Sequence, residues 1–163
     1  MSNNSASRRL PILTCIVASL MLAIAPMPGW AEAYRPDWVP LTLIFWSMLL
    51  PRTYSIGWAW IIGLILDVAQ GTLFGQHALA LVLIVYITVK FHLQIRVFPM
   101  LQMTATVFAL LALYQFILFW INGVAGINSP AVAYWGPVLT GTIVWPLLST
   151  IYGGIRYNAR SSG

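Results

Sequence analysis

Between Leu10 and Tyr152 the chain is a succession of apolar runs, each ended by proline, glycine or a short polar turn, and this pattern leaves it few ways to fold. Runs of this kind need surroundings that water does not provide. With 60% hydrophobic and 7% charged residues among 163, and a mean hydropathy of +0.85, no stretch is both polar and long enough to make a soluble domain. The expectation is an all-α integral membrane protein, a single polytopic unit over residues 1–163. Any chemistry has to sit in the membrane or at its surface, which disfavours most enzyme classes.

Met1 to Arg9 is polar and ends in Arg8-Arg9, and Leu10 to Ala25 is almost wholly apolar before Pro26, Pro28 and Gly29 interrupt it. A basic start, an apolar stretch and the small-residue pattern Ala31-Glu32-Ala33 resemble a cleavable signal peptide. The run from Leu10 to Trp30 also has about the roughly 20 residues that a span needs, with Trp30 as an interface anchor, and a retained first helix is favoured. Arg8-Arg9 fits a twin-arginine signal poorly. Glu32 to Trp38 is the most charged part of the chain and reads as a loop entering a helix. Asp37 is placed to cap that helix, Pro36 limits its extension backwards, and a role for this loop in binding a partner stands beside capping.

The second helix is expected through Leu41 to Leu50, stopping at Pro51-Arg52-Thr53, and the third from Ser55 to Ala69. At 1.5 Å per residue, about 15 residues reach only about 22 Å, short of a hydrocarbon core of roughly 30 Å. Either the membrane thins here or neighbouring helices shelter these two. After a turn at Gly71 to Gly75, a fourth helix takes up Ala78 to Lys90, extendable to Val97, and Pro99 opens a fifth over Met100 to Ile121. Asn122 to Pro130 reads as a loop. A sixth helix covers Val132 to Tyr152, with Pro137 near its start and Pro146 as a kink site; Gly153-Gly154 ends it, and a short polar tail follows.

The charges test this layout. With six spans and the N-terminus inside, Arg8, Arg9, Arg52, Lys90, Arg96, Arg156 and Arg160 all fall on the cytoplasmic side, and only Arg35 falls outside. The three acids, Glu32, Asp37 and Asp67, lie in or toward the outer half. So strong a basic asymmetry supports a bundle of six transmembrane helices with N- and C-termini cytoplasmic. It also explains the net charge of +5 better than nucleic acid would, since the basic residues form no stripe with interleaved aromatics.

Asp67 is the one acid deep in an apolar helix. Gly63, Asp67 and Gly71 recur at four-residue spacing, with Gly75 next, so while the segment stays helical they share a face that another helix backbone can approach closely. A carboxylate there costs about 2.5 to 3.5 kcal/mol at a helix centre and less toward the ends, and it invites a partner. Arg35, His77 and an associated protein are the candidates; an interfacial carboxylate reached by water is the plain alternative. Gly71 and Gly75 also match the GxxxG spacing but fall at a turn. His77 and His92 sit at opposite membrane faces with no further ligand at suitable spacing, so no metal is expected. No phosphate loop, HExxH or serine with a plausible base is present, and no cofactor is implied. Cys15 reads as a small packing residue, and the eight tryptophans suit interface belts.

Arg35-Pro36-Asp37-Trp38, Trp46 and Leu50-Pro51, then Gly63-Leu64-Ile65-Leu66-Asp67 with Gly71, Leu73, Gly75, His77-Ala78-Leu79-Ala80 and Tyr86, closely resemble the MreD family of rod shape-determining membrane proteins. The match is specific from Tyr34 to about Tyr86; Phe98-Pro99, Gln102, Phe119-Trp120 and Trp145-Pro146 are similar more loosely. One departure is Arg52, where members of the family often carry His. The resemblance implies a noncatalytic protein of the bacterial inner membrane, working in cell elongation beside MreC, the actin-like MreB and the lateral-wall peptidoglycan synthase and glycosyltransferase. Arg35, Asp37, Gly63, Asp67, Gly71, Gly75 and His77 are then structural or partner-contacting residues. The family also looks distantly like the substrate-binding subunits of vitamin transporters, which supplies a rival: a solute-binding membrane subunit lined thinly by Asp67, Gln70, Gln76, His77 and Gln115.

Overall fold

A computed structural model describes residues 3–51, 56–127 and 130–161, with side chains at all of these except 3–10, 131–133 and 155–161. The described residues form seven helices: α1 (Asn3–Ile24), α2 (Gly29–Glu32), α3 (Trp38–Leu49), α4 (Ile56–Gln70), α5 (Gln76–Val97), α6 (Met100–Val124) and α7 (Ala131–Ser161). Six correspond to the expected helices, and α2 is a single turn between the Pro28 break and the charged loop. Arg52 and Thr53 of the expected turn, Ser55 at the expected start of the third helix, and Asn128-Ser129 of the last loop lie outside the described residues, as do the side chains of Arg8, Arg9, Arg156 and Arg160.

The fourth expected helix takes its longer form, α5 running unbroken through Lys90, His92 and Arg96 to Val97. Two ends differ from expectation. Asn122 and Gly123, expected in a loop, continue α6 to Val124. Gly153 and Gly154 do not end α7, which continues to Ser161. Glycine stops a helix when the chain uses its left-handed conformation, and neither of these glycines has positive φ.

The bundle is built around α3. Every residue from Val39 to Met48 is buried, because α3 packs on α1, α5, α6 and α7. Near its C-terminal half, Phe45 meets Trp46, Trp145 and Tyr152 edge-on at ring separations of 5.4, 6.2 and 5.2 Å, and Thr42 Oγ1 shares a hydrogen bond with Tyr152 Oη at 2.8 Å. Shelter by neighbours therefore accounts for the shortness of α3. It does not account for α4, which buries only the face carrying Ala59, Ile62, Gly63, Leu66 and Asp67 and turns Trp60, Ile61, Ile65 and Val68 outward.

Among the described residues, α5 and α6 are the helices long and apolar enough to cross a membrane. The outer surface is studded with large apolar side chains, among them Leu101, Phe74, Trp120 and Ile143. In water such a surface would be an association hazard; against lipid it is the ordinary exterior.

Candidate functional site

A buried polar region lies where α4 turns into α5, and its construction follows from Asp67, Gly71, Thr72, Gly75 and His77. Gly71 has φ +63°; its N–H donates to Val68 O at 3.4 Å, and Thr72 N–H donates to Asp67 O at 3.1 Å. This pair of bonds is a Schellman close, which demands a left-handed residue at the position Gly71 occupies. Gly75, with φ +98°, then stands at the N-cap of α5, where it has no side chain to satisfy the first N–H groups.

Asp67 supplies what Gly75 lacks. Its Oδ2 accepts Gly75 N–H at 2.8 Å and its Oδ1 accepts His77 N–H at 3.0 Å, so a carboxylate from the end of α4 caps the start of α5, at the positive end of its dipole. Oδ1 also accepts from His77 Nδ1 at 2.7 Å and from Thr72 Oγ1 at 3.2 Å. A carboxylate flanked by N–H donors only accepts, which fixes the imidazole proton on Nδ1. The Asp67 side chain is 0% exposed. Of the partners expected for it, His77 is the one found, and the water-reached alternative fails because no water can touch the group.

The Gly63–Asp67 face behaves as the spacing predicts, up to the end of the helix. A Cβ built on Gly63 would stand 2.3 Å from Ala78 Cα, so α4 and α5 touch backbone to backbone there. Gly71 and Gly75 leave that face: they are turn residues, and nothing lies within 4 Å of a Cβ built on either.

Arg35 and Asp37 take different partners from those expected. Arg35 Nη2 donates to Leu22 O at 2.6 Å and to Ala25 O, a cation on the last carbonyls of α1, where the helix dipole favours it. Asp37 occupies the N-cap position of α3 but makes no side-chain cap. Its Oδ2 instead accepts from Gln115 Nε2 on α6 at 2.6 Å. Capping competes with any better donor, and Gln115 is one that only the tertiary fold brings near.

Burial pushes the Asp37 carboxyl up from 3.8 to about 7, with the Gln115 hydrogen bond pulling it the other way. The folded-state value lies above the unfolded one, so this stabilisation is fully present below about 3.8 and is lost as pH rises through about 7. The melting midpoint in detergent is expected to fall from about pH 5 to about pH 8. Asp37→Asn, whose amide oxygen still accepts from Gln115, should flatten that fall and melt higher at the alkaline end. An unchanged slope in the variant would remove Asp37 as its source.

Arg35, Asp37, Gln76, His77 and Gln115 surround one cavity of about 250 Å³ at this end of the bundle. Asn122 Nδ2, donating to Tyr134 Oη at 3.1 Å, ties α6 to α7 beside it. Thr72 and Asn122 escaped the sequence reading, as did Gly136, where an added Cβ would strike Ala33 O at 2.0 Å. Thr72 could have been noticed as a small donor between Asp67 and His77; nothing local marks the other two. Among the described residues, no three His, Cys, Asp or Glu side chains gather closely enough to hold a metal ion.

Comparison with known proteins agrees with the resemblance. The family model described as rod shape-determining protein MreD matches residues 6–152, well over half of the chain. The rod shape-determining protein MreD of Haemophilus influenzae is 36% identical over 85 residues, a match covering 52% of this chain and 52% of that relative. The chain thus spans about half the length of the curated relative it matches. No solved structure matches it. A buried Asp–His junction on two turn glycines, inside an all-helical apolar bundle, therefore belongs to a membrane protein of known kind: the chain is a member of the MreD family of rod shape-determining proteins.

Proposed function

We propose that the chain is a noncatalytic scaffold of the bacterial inner membrane that crosses it six times with both termini in the cytoplasm. In this reading it holds MreC, MreB (directly or through MreC) and the lateral-wall peptidoglycan synthase and glycosyltransferase together during elongation. The observation that carries the reading is the condition of Asp67. This acid gives its oxygens to Gly75, His77 and Thr72 of its own chain, which leaves a fixed shape rather than a reacting group as the product of the fold. The concentration of basic residues on one side supports the orientation.

Extraction of the native complex in mild detergent through a tag on this chain, with members identified by mass, is expected to return an MreC-like protein. Reporter fusions at Pro51 and Phe98 should report the cytoplasm. A complex free of any elongation protein would overturn the scaffold, and periplasmic reporters at those bends would overturn the six-span layout.

A further inference from the structure

Two unlike faces run along α5. Ala80, Leu81, Ile84, Val85 and Thr88 are buried against the bundle. Leu79, Leu83, Tyr86, Lys90, Gln94 and Val97, recurring at steps of three and four residues, form one exposed stripe on the other side. From Leu79 to Leu83 that stripe is plain apolar surface of the kind lipid covers. At Tyr86, Lys90 and Gln94 it turns polar, with one donor group per helical turn: a phenol, an ammonium and an amide.

Lys90 has no acid within reach. The chain's three acids gather at the opposite end of α5, where Glu32 and Asp37 line the cavity beside His77 and Asp67 accepts from His77 N–H. From His77 to Lys90 along the helix is about 20 Å, far beyond an ion pair. The ammonium stands instead against two rings, with Nζ 5.9 Å from the centroid of Tyr86 and 5.8 Å from that of Phe91, which keeps the charge close to the helix surface. Both rings are themselves exposed, so the charge faces the surroundings of the bundle. Among the described residues, no carboxylate pairs with Lys90, and no hydrogen bond engages Tyr86 Oη or the Gln94 amide.

Unengaged donors on one face, one of them a cation, call for an anionic acceptor. The rest of the stripe decides what carries it. Leu83 and Leu79 continue away from the ammonium as exposed apolar surface, which an acyl chain covers and a soluble anion leaves bare. Leu79 lies about 16 Å from Lys90 along the axis, about half of a hydrocarbon core of roughly 30 Å, the depth of one leaflet. A zwitterionic head would bring an ammonium of its own, and no acid is near to receive it; a head with net negative charge matches Lys90 alone. We propose that Tyr86, Lys90 and Gln94 bind the phosphate of an anionic phospholipid whose acyl chain lies over Leu83 and Leu79. The site requires only that the chain sits in a bilayer, and it stands apart from the scaffold reading.

The test uses the full chain in detergent, equilibrated with equal amounts of phosphatidylglycerol and phosphatidylcholine of matched acyl chains and released from the micelle for native mass spectrometry. The parent is expected to retain phosphatidylglycerol in preference. Lys90→Gln should lower that preference about fivefold, the worth of one basic side chain at an anionic membrane surface, and Lys90→Arg should restore it. Arg96→Gln removes an equal charge from an exposed residue of the same helix that lies off the stripe, and should leave the preference unchanged. Because Lys90 is exposed, Lys90→Gln should melt with the parent in lipid-free detergent, and added phosphatidylglycerol should raise the midpoint of the parent alone. Equal retention of the two lipids overturns the proposal, as does a loss in Arg96→Gln as large as that in Lys90→Gln, which would make the preference a matter of net charge. Glycerol 3-phosphate stabilising the parent as well as the lipid does would place a water-soluble anion at the site and overturn it too. So would a photo-crosslinker at Gln94 that joins, in native membranes, to an acidic protein segment and to no lipid.

Discussion

Asp67→Ala is expected to lower the stability of the purified protein by about 3 to 5 kcal/mol, the range for removing one member of a buried polar pair. This corresponds to a fall in melting midpoint on the order of 10 °C for a chain of this size. The cause is the number of donors left behind. Gly75 N–H, His77 N–H, His77 Nδ1–H and Thr72 Oγ1–H all end on this carboxylate, whose side chain is 0% exposed. His77→Ala should cost less, because the two backbone bonds to Asp67 survive it, and Thr72→Val least. The His77 and Asp67 effects should couple by more than about 0.5 kcal/mol in a double-mutant cycle, since both variants remove the same 2.7 Å bond. In the scaffold reading, rod shape and co-purification with an MreC-like protein should be retained in proportion to the folded protein remaining. An Asp67→Ala protein that melts with the parent yet loses its partner would instead place the carboxylate in the interface.

Much of the helical layout is legible in the sequence because each helix is an apolar run with hard punctuation. Pro99 and the glycines at 71 and 75 fall where helices begin or end. The errors have a common physical origin, which is that local signals state a preference and the fold decides whether to use it. Gly153-Gly154 is a stop signal only if something beyond it requires a turn. Asp37 is a good cap until Gln115, 78 residues away in the chain, offers it a 2.6 Å donor. Arg35, His77 and an associated protein are all candidates for Asp67 in the sequence, because a carboxylate in an apolar run advertises its need but not its partner. The choice was made by the turn: the Schellman close at Gly71 and the left-handed Gly75 bring the start of α5 back over the end of α4, and Arg35 is left to the carbonyls of α1. The cavity was partly visible, since Gln70, Gln76, His77 and Gln115 are all in its lining. Which of their atoms are paired is a tertiary fact that spacing does not carry.

Gly63→Ala is expected to be at least as damaging as any loss of a hydrogen bond at this junction, although it adds a single methyl group. The added carbon would stand 2.3 Å from Ala78 Cα and 2.6 Å from Ala78 N, distances that no rotamer change relieves because both atoms are backbone. The two helices must part along their contact. Overpacking of this kind costs about 1 to 3 kcal/mol and more where the obstacle is rigid, so a loss of about 3 kcal/mol or greater is anticipated. Separating α4 from α5 also pulls the Asp67 carboxylate off the N-terminus of α5, one helical turn further along the same face. Two companions make the cause specific. Ala78→Gly in the same chain should not rescue the variant, because the clash is with the main chain and not with the Ala78 methyl, itself 3.0 Å away. Gly123→Ala, inside α6 with nothing within 4 Å of the new Cβ, should be neutral or should stabilise by up to about 1 kcal/mol through helix propensity. Equal thermal unfolding of Gly63→Ala and the parent would mean that α4 and α5 do not meet at their backbones, and the junction that positions Asp67, Gly75 and His77 would lose its foundation.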